Sequence, residues 1–172
     1  MRYLQDPMVA CFAPSSKHII DKVVKQIDFK TALSIIEYGA GDGVVTKEIV
    51  KRMRTDAALV AFEPNEDMFS ELTSITDKRF TAINDVAQNS SLYIAAMNAD
   101  LILASIPFSI IDDTPALLES ISQRLKQSGK MIIFHQYNPL KLKNVLPQFF
   151  RSITMEFEPR NTIPSFIFVC EK

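Results

Sequence analysis

Short apolar runs bounded by turn residues alternate along this chain with stretches of helical spacing. Ile19, Ile20, Val23, Val24 and Ile27 share one helical face across residues 16–27, with Ser15 or Ser16 as the N-cap. The run at 33–38 reads as a strand and residues 44–53 as a helix. A second strand, 58–62, is stopped by Glu63-Pro64, and Asn65 caps a helix to about residue 72. Residues 80–83 form a third strand, followed by a weaker helical stretch at 91–97. A fourth strand, 100–106, ends at Pro107. The helix predicted at 115–126 carries Pro115 in its first turn, where the missing N–H is harmless. Gly129 ends that region, and 130–135 is the fifth strand. A last helix, 140–149, bends near Pro147, and strands at 152–157 and 165–170 close the chain.

Strands alternating with helices predict an α/β fold with a mostly parallel sheet of seven strands. The final two strands are joined by a link too short for a parallel crossover, so they form an antiparallel hairpin. The length suits one domain over residues 1–172, with an N-terminal cap segment and helix at 1–30 and the core at 31–172.

Composition narrows the classes. The chain is 47% apolar with a net charge of -1, which supports a full core and argues against a bulk nucleic-acid binder. Cys11 and Cys170 lie near opposite ends, and with two histidines no metal-site spacing exists. Reduced, buried thiols are the expectation. The first ten residues lack a secretory apolar region, and no apolar run spans a bilayer. A cytoplasmic monomer follows, at most peripheral to a membrane. Charge is uneven: Arg124, Lys126, Lys130, Lys141, Lys143, Arg151 and Arg160 face only Glu156 and Glu158 as acids in that stretch. Such a region is either an ordinary solvated face or a surface for phosphate-bearing partners.

The most informative segment follows the first strand. Glu37 stands at its end, and three of the chain's four glycines, Gly39, Gly41 and Gly43, follow on alternate positions around Ala40. A strand, a glycine turn and a helix make a nucleotide-type cofactor site. The spacing is not that of a dinucleotide fingerprint, Asp42 would repel a pyrophosphate, and no Lys-Ser/Thr pair follows. An acid at the strand end suits a cationic cofactor.

This E-x-G-x-G-x-G pattern resembles the first motif of class I S-adenosylmethionine-dependent methyltransferases. The resemblance implies a Rossmann-like seven-stranded methyltransferase sheet with a C-terminal antiparallel hairpin. It also implies that Glu37 and the turn Gly39-Ala40-Gly41 with Gly43 pack against the methionine and ribose parts of S-adenosyl-L-methionine. Glu63, before Pro64, would accept the ribose hydroxyls, and Asp85 with the amide of Val86 would contact the adenine. After strand four, Ser105-Ile106-Pro107-Phe108 is similar to the Asn-Leu-Pro-aromatic motif of rRNA adenine dimethylases, with Ser105 in place of the carboxamide. In that family the polar side chain and a backbone carbonyl take the amine hydrogens and the aromatic stacks on the base.

Over most of its length the chain resembles the bacterial phospholipid N-methyltransferases more closely. The resemblance rests on Leu4, Asp6-Pro7, Ala13-Pro14-Ser15-Ser16, the Ser105–Phe108 motif, Arg160-Asn161, Pro164, Phe166 and Cys170. It implies N-methylation of an amine lipid headgroup. Candidates for removing the amine proton are His135 and Tyr137, with His18 and Tyr3 as further possibilities, and desolvation or a water relay as replacements. Tyr3, Leu4, Met8, Val9 and Phe12, with Arg2, Lys17, Lys22 and Lys25, either touch a bilayer or cover the sheet. Alternative functions are RNA adenine N6-methylation, methylation of a small-molecule amine, and a non-catalytic cofactor-binding module. No metal is expected.

Overall fold

The computed structural model describes residues 15–94, 97–109, 111–161 and 163–172. Tyr3, Cys11 and the rest of the first fourteen residues lie outside that set. In chain order the elements are α1 (Lys17–Lys25), β1 (Ser34–Tyr38), α2 (Val44–Arg52), β2 (Ala58–Phe62), α3 (Glu66–Leu72), β3 (Phe80–Ile83) and α4 (Ser91–Ile94). They continue with β4 (Ala99–Ala104), α5 (Thr114–Gln123), β5 (Leu125–Gln136), α6 (Leu140–Val145), β6 (Ser152–Glu158) and β7 (Ser165–Glu171). The seven strands form one sheet in the order β3-β2-β1-β4-β5-β7-β6. The first five strands pair in parallel; β7 runs antiparallel to β5, and β6 antiparallel to β7. This is the seven-stranded, mostly parallel sheet that the resemblance implies, with its C-terminal antiparallel hairpin.

Side chains alternate across each strand, so one sheet buries two separate faces. Ile36, Tyr38, Ile102, Ala104, Met131, Ile133 and Phe168 pack with Leu117, Leu118 and Ile121 of α5 and Leu142 of α6. Ile35, Leu59, Leu103, Ile132 and Phe134 face the other way, onto Ile19 and Val23 of α1 and Val45 and Ile49 of α2. The apolar face of α1 is therefore spent on the sheet.

Capping explains several boundaries. Asn65 Oδ1 accepts from the Met68 amide at 3.0 Å, and Ser16 Oγ from that of Ile19 at 3.4 Å. The Pro147 bend appears as a tight turn, Leu146–Gln148, directly after α6. The fifth strand differs from expectation. It begins at Leu125 and runs through Gly129, with its pairing shifting between Ala99 and Leu101 of β4. An irregular stretch of pairing tolerates the glycine that looked like a stop.

Five members of the basic run are engaged within the fold, Lys126 and Arg160 at its surface. Arg124 donates to Ile94 O, Lys126 to Asp100, Lys130 to Gln26 O, Lys141 to Ile111 O and Arg160 to Glu158. Cys170 is fully buried and reduced, and burial pushes its thiol up to about 12.

Candidate functional site

The strand order reverses between β1 and β4, and a crevice opens beyond their carboxyl ends. It holds a cavity of about 280 Å³ lined from β1, β2, β5 and the loops that follow β1, β2, β3 and β4. Its wall includes Glu37, Gly39, Ala40, Gly41, Glu63, Pro64, Asp85, Val86, Ser105, Pro107 and His135. Residues far apart in sequence thus meet in one place.

The glycines are demanded by what surrounds them. Gly39 has φ +73, and a Cβ there would sit 2.9 Å from the Ser105 carbonyl oxygen. Gly43 has φ +77 and would meet Leu72 Cδ1 at 2.9 Å. Gly43 opens α2 and stands outside the cavity lining, so its role is to seat the turn against α3. Both positions need a residue without a side chain and with access to left-handed backbone.

Glu37 is 1% exposed. Its Oε2 accepts from Thr46 Oγ at 2.7 Å, while its Oε1 is buried without a partner. Burial, and secondarily the nearby Glu63, pushes its carboxyl up from 4.5 to about 7. An orphaned acceptor at the wall of a cavity fits a ligand that brings positive charge or N–H donors. A sulfonium nucleoside with an amino group supplies both.

Glu63 holds the cradle together. Its Oε2 accepts from the Gly41 amide at 2.8 Å and its Oε1 from the Asn65 amide at 2.9 Å. The carboxylate so ties the glycine turn to the head of α3. Asp85 accepts from the Val86 amide at 2.7 Å, Asn89 Nδ2 at 2.8 Å and Tyr93 Oη at 2.8 Å, and these donors hold it below the usual carboxylate range. Asn84 Nδ2 donates to Glu63 O at 2.8 Å and fastens the β2 and β3 ends to each other.

The opposite end of the cavity is apolar, with Ile106, Pro107, Ile111 and Phe134 around Ser105 and His135. Ser105 is 4% exposed, and its Oγ lies 2.9 Å from His135 Nδ1. His135 Nε2 lies 3.3 Å from Ser15 Oγ. Burial lowers the imidazole to about 4, so it is neutral at physiological pH. His135 also has φ +57, a left-handed conformation that costs a non-glycine residue of order 1–3 kcal/mol. The cause is a bulge. Ile133 pairs with Phe168 and Gln136 with Phe166, so β5 carries one residue more than β7 across that step.

Phe108 departs from the expected picture. It is fully buried in the core cluster and does not line the cavity. Thr114 Oγ donates to its carbonyl at 2.9 Å and helps hold the loop in this inward arrangement. The aromatic of the motif therefore packs and offers no face to a base. The Ile106 carbonyl also differs from a free acceptor. It already receives the Phe108 amide at 2.9 Å and Gln136 Nε2 at 2.8 Å. Tyr137 is half-buried and lies off the lining, and His18 is exposed on α1, also off it.

Sequence reasoning did not place Ser15, Thr46, Gln136 or Asn161 at the site. Ser15 and Ser16 were equivalent as caps; the fold divides them, with Ser16 on the helix and Ser15 at the cavity. Thr46 lies nine residues beyond Glu37, on the face of α2 that the glycine turn returns to β1, which is a signal a βα unit carries. Gln136 gave no local sign of its bond to Ile106 O, and Asn161, quoted above only within the Arg-Asn motif, gave none of its bond to the Ser16 amide, because those partners are on distant segments. Among the described residues no cluster of metal-ligating side chains occurs and no helix is long and apolar enough to cross a membrane.

A family model for ribosomal RNA adenine dimethylases matches residues 14–141. An ornithine lipid N-methyltransferase from Singulisphaera acidiphila is 24% identical over 174 residues, covering 94% of this chain and 88% of that protein. Among solved structures, the fold is shared with a precorrin-6y C5,15-methyltransferase from Geobacter metallireducens. That match has a TM-score of 0.74 at 14% identity and covers 94% of this chain and 95% of the other. The plantazolicin methyltransferase BpumL, solved in complex with SAH, superposes with a TM-score of 0.66 at 14% identity, over 89% of this chain and 81% of its own.

Proposed function

The chain belongs to the ribosomal RNA adenine dimethylase family of S-adenosylmethionine-dependent methyltransferases, and from that premise we propose that its methyl acceptor is the amine of a lipid headgroup. The cofactor is S-adenosyl-L-methionine, which supplies an electrophilic methyl on a sulfonium. Glu37 and the turn from Gly39 to Gly41 would hold its methionine end, the buried carboxylate answering the positive charge. Glu63 would take the ribose, and Asp85, which holds the Val86 amide, would line the adenine end. Ser105 and Pro107 form the floor on which the acceptor amine sits.

The observation that carries the lipid reading is the burial of Phe108. An adenine N6-methyltransferase of this family needs an aromatic face for the base and a carboxamide for the amine. Here the ring is enclosed in the core and a serine hydroxyl stands at the polar position. A hydroxyl offers fewer contacts than a carboxamide, enough for a simple amine. The apolar walls from Ile106, Ile111 and Phe134 favour a neutral amine over an ammonium, so the proton is shed on entry. The neutral His135 is too weak a base to take it from an ammonium resembling that of lysine. Similarity to the ornithine lipid enzyme supports the same acceptor class. A peripheral contact with a bilayer, by a monomer, completes the reading.

The test is methyl transfer from labelled cofactor to two acceptors in parallel: mixed micelles bearing amine lipids, and total RNA. Label in the organic-extractable fraction is expected. Label confined to RNA would replace the lipid acceptor with a nucleic acid, and its absence from every fraction would favour a non-catalytic module.

A further inference from the structure

We propose that Ser15 is a positioning residue that supports the Nε2–H tautomer of His135, so that Ser105 presents an acceptor oxygen to the N–H of the incoming amine. This rests on the amine-acceptor reading above.

The three side chains form a line at the cavity wall. Ser15 Oγ lies 3.3 Å from Nε2 and Ser105 Oγ 2.9 Å from Nδ1 of one imidazole. A neutral imidazole carries one N–H and one bare nitrogen. Two arrangements are open to it. With the proton on Nε2, the ring donates to Ser15 and its Nδ1 accepts the Ser105 hydroxyl hydrogen. The Ser105 lone pairs then face the cavity. With the proton on Nδ1, the ring donates to Ser105, and the Ser105 hydrogen turns toward the cavity. It would there bond the amine lone pair, the electron pair that must attack the methyl carbon. Only the first arrangement leaves the nucleophile free.

The surroundings make this choice matter. The Ile106 carbonyl is filled by Phe108 N and Gln136 Nε2, so it does not share the acceptor role. The oxygen of Ser105 is what the fourth strand leaves for the amine. The Ser15 hydroxyl can accept from an Nε2–H or donate to a bare Nε2, so it is what permits the productive tautomer; without it the Nε2–H form leaves a buried donor unsatisfied, the Nδ1–H form leaves only a bare nitrogen, and the proton moves to Nδ1.

Ser15 is held in place from the far end of the chain. The Ser16 amide donates to Asn161 Oδ1 at 3.0 Å, and Asn161 Nδ2 donates to Ile163 O at 3.1 Å. Asn161 is 5% exposed. Lys22, one turn into α1, bonds Phe157 O at 3.0 Å and lies 3.4 Å from the buried Glu158. The β6–β7 hairpin thus docks the start of α1 over the bulge that swings His135 into the cavity.

The experiment uses the full chain with 15N-labelled histidine, in which His18, exposed on α1, is the reference for His135. Long-range 15N–1H correlation spectra report which ring nitrogen carries the proton. The wild-type protein should show the Nε2–H form at His135. Ser15→Ala should move the population toward Nδ1–H, and Ser15→Thr should restore it. In parallel, Ser15→Ala should lower kcat for an amine lipid in micelles by about three- to ten-fold, the loss expected for one neutral hydrogen bond. Calorimetric affinity for S-adenosylmethionine should stay unchanged, and Ser15→Thr should recover the rate. A wild-type spectrum with the proton on Nδ1, or a Ser15→Ala protein with unaltered tautomer and unaltered kcat, overturns the proposal. Failure of the wild-type protein to methylate any amine lipid would instead refute the acceptor assignment, while the spectra still decide the Ser15–His135 link.

Discussion

Replacing Glu37 with glutamine removes a charge that the ligand-free fold keeps at a cost. Burial, with the charge of Glu63 adding to it, lifts the carboxyl from 4.5 to about 7. At roughly 1.4 kcal/mol per pH unit, ionising this group in the folded state costs about 3 kcal/mol above pH 7. The sign follows from linkage. Between 4.5 and about 7 the folded state holds a proton that the unfolded chain has released. Stability therefore falls as pH rises through that window and is flat on either side. The glutamine variant lacks this component. Its oxygen can still accept from Thr46 Oγ, while its amide NH₂ replaces an orphaned oxygen with an orphaned donor, a pH-independent penalty of about 1–3 kcal/mol. The clean quantity is the change in the difference between the two proteins. Relative to wild type, the variant should gain about 3 kcal/mol between acid and mildly alkaline pH. Urea unfolding of the ligand-free proteins across pH measures it. Parallel stability curves would mean that Glu37 is not the buried, uncompensated acid described here. A second readout is proton release. S-adenosylmethionine should expel a proton from the wild-type site near neutrality by restoring the carboxylate, visible as buffer-dependent binding heat. The variant should bind more weakly and show no buffer dependence.

Gly39→Ala should destabilise the fold by about 1–3 kcal/mol from its φ of +73 alone, and the 2.9 Å approach to the Ser105 carbonyl should also abolish cofactor binding, measured by thermal shift and calorimetry. Glu63→Ala should weaken cofactor affinity by about 1–3 kcal/mol, and unchanged affinity would place the ribose contact elsewhere. Phe108→Ala should cost about 3–5 kcal/mol of stability in urea as a core truncation, whereas an acceptor-stacking residue would raise KM and spare stability. Glu158 has the opposite pH sign to Glu37. Arg160 holds its carboxyl down to about 2, so the clasp it forms with Arg160 and Lys22 is fully present above 4.5 and lost as pH falls toward 2, which Glu158→Gln should make pH-independent.

Much of the cofactor end is legible in the amino-acid sequence. Glu37, Glu63 and Asp85 each follow a short apolar run that ends in a turn signal, and the parallel sheet carries every such end to the same edge. The glycine spacing announces a bend, and Asn65 announces a helix start. The acceptor end is legible only in part. Ser105, Pro107 and His135 are placed by their strand ends, but Phe108 and Tyr137, equally near a strand end, do not reach the cavity. Position along a strand says where a residue is, not which way its side chain leaves the backbone. The pairing of the basic run is hidden for a related reason. Charge is read from composition, while its disposal depends on which carbonyls and carboxylates lie within reach of each long side chain.

By itself the sequence determined what is local: the period of each apolar run, the turn residues between runs, and hence an α/β sheet with acids and glycines at its carboxyl edge. The tertiary structure alone decided the one-residue bulge that turns His135 into the cavity, the enclosure of Phe108, and the meeting of Ser15 with a histidine 120 residues away. Periodicity and turn chemistry act over a few bonds and survive in a string of letters. Register between strands and the docking of a helix on a distant hairpin arise only when the whole sheet has closed, because their partners are neighbours in space and not in sequence.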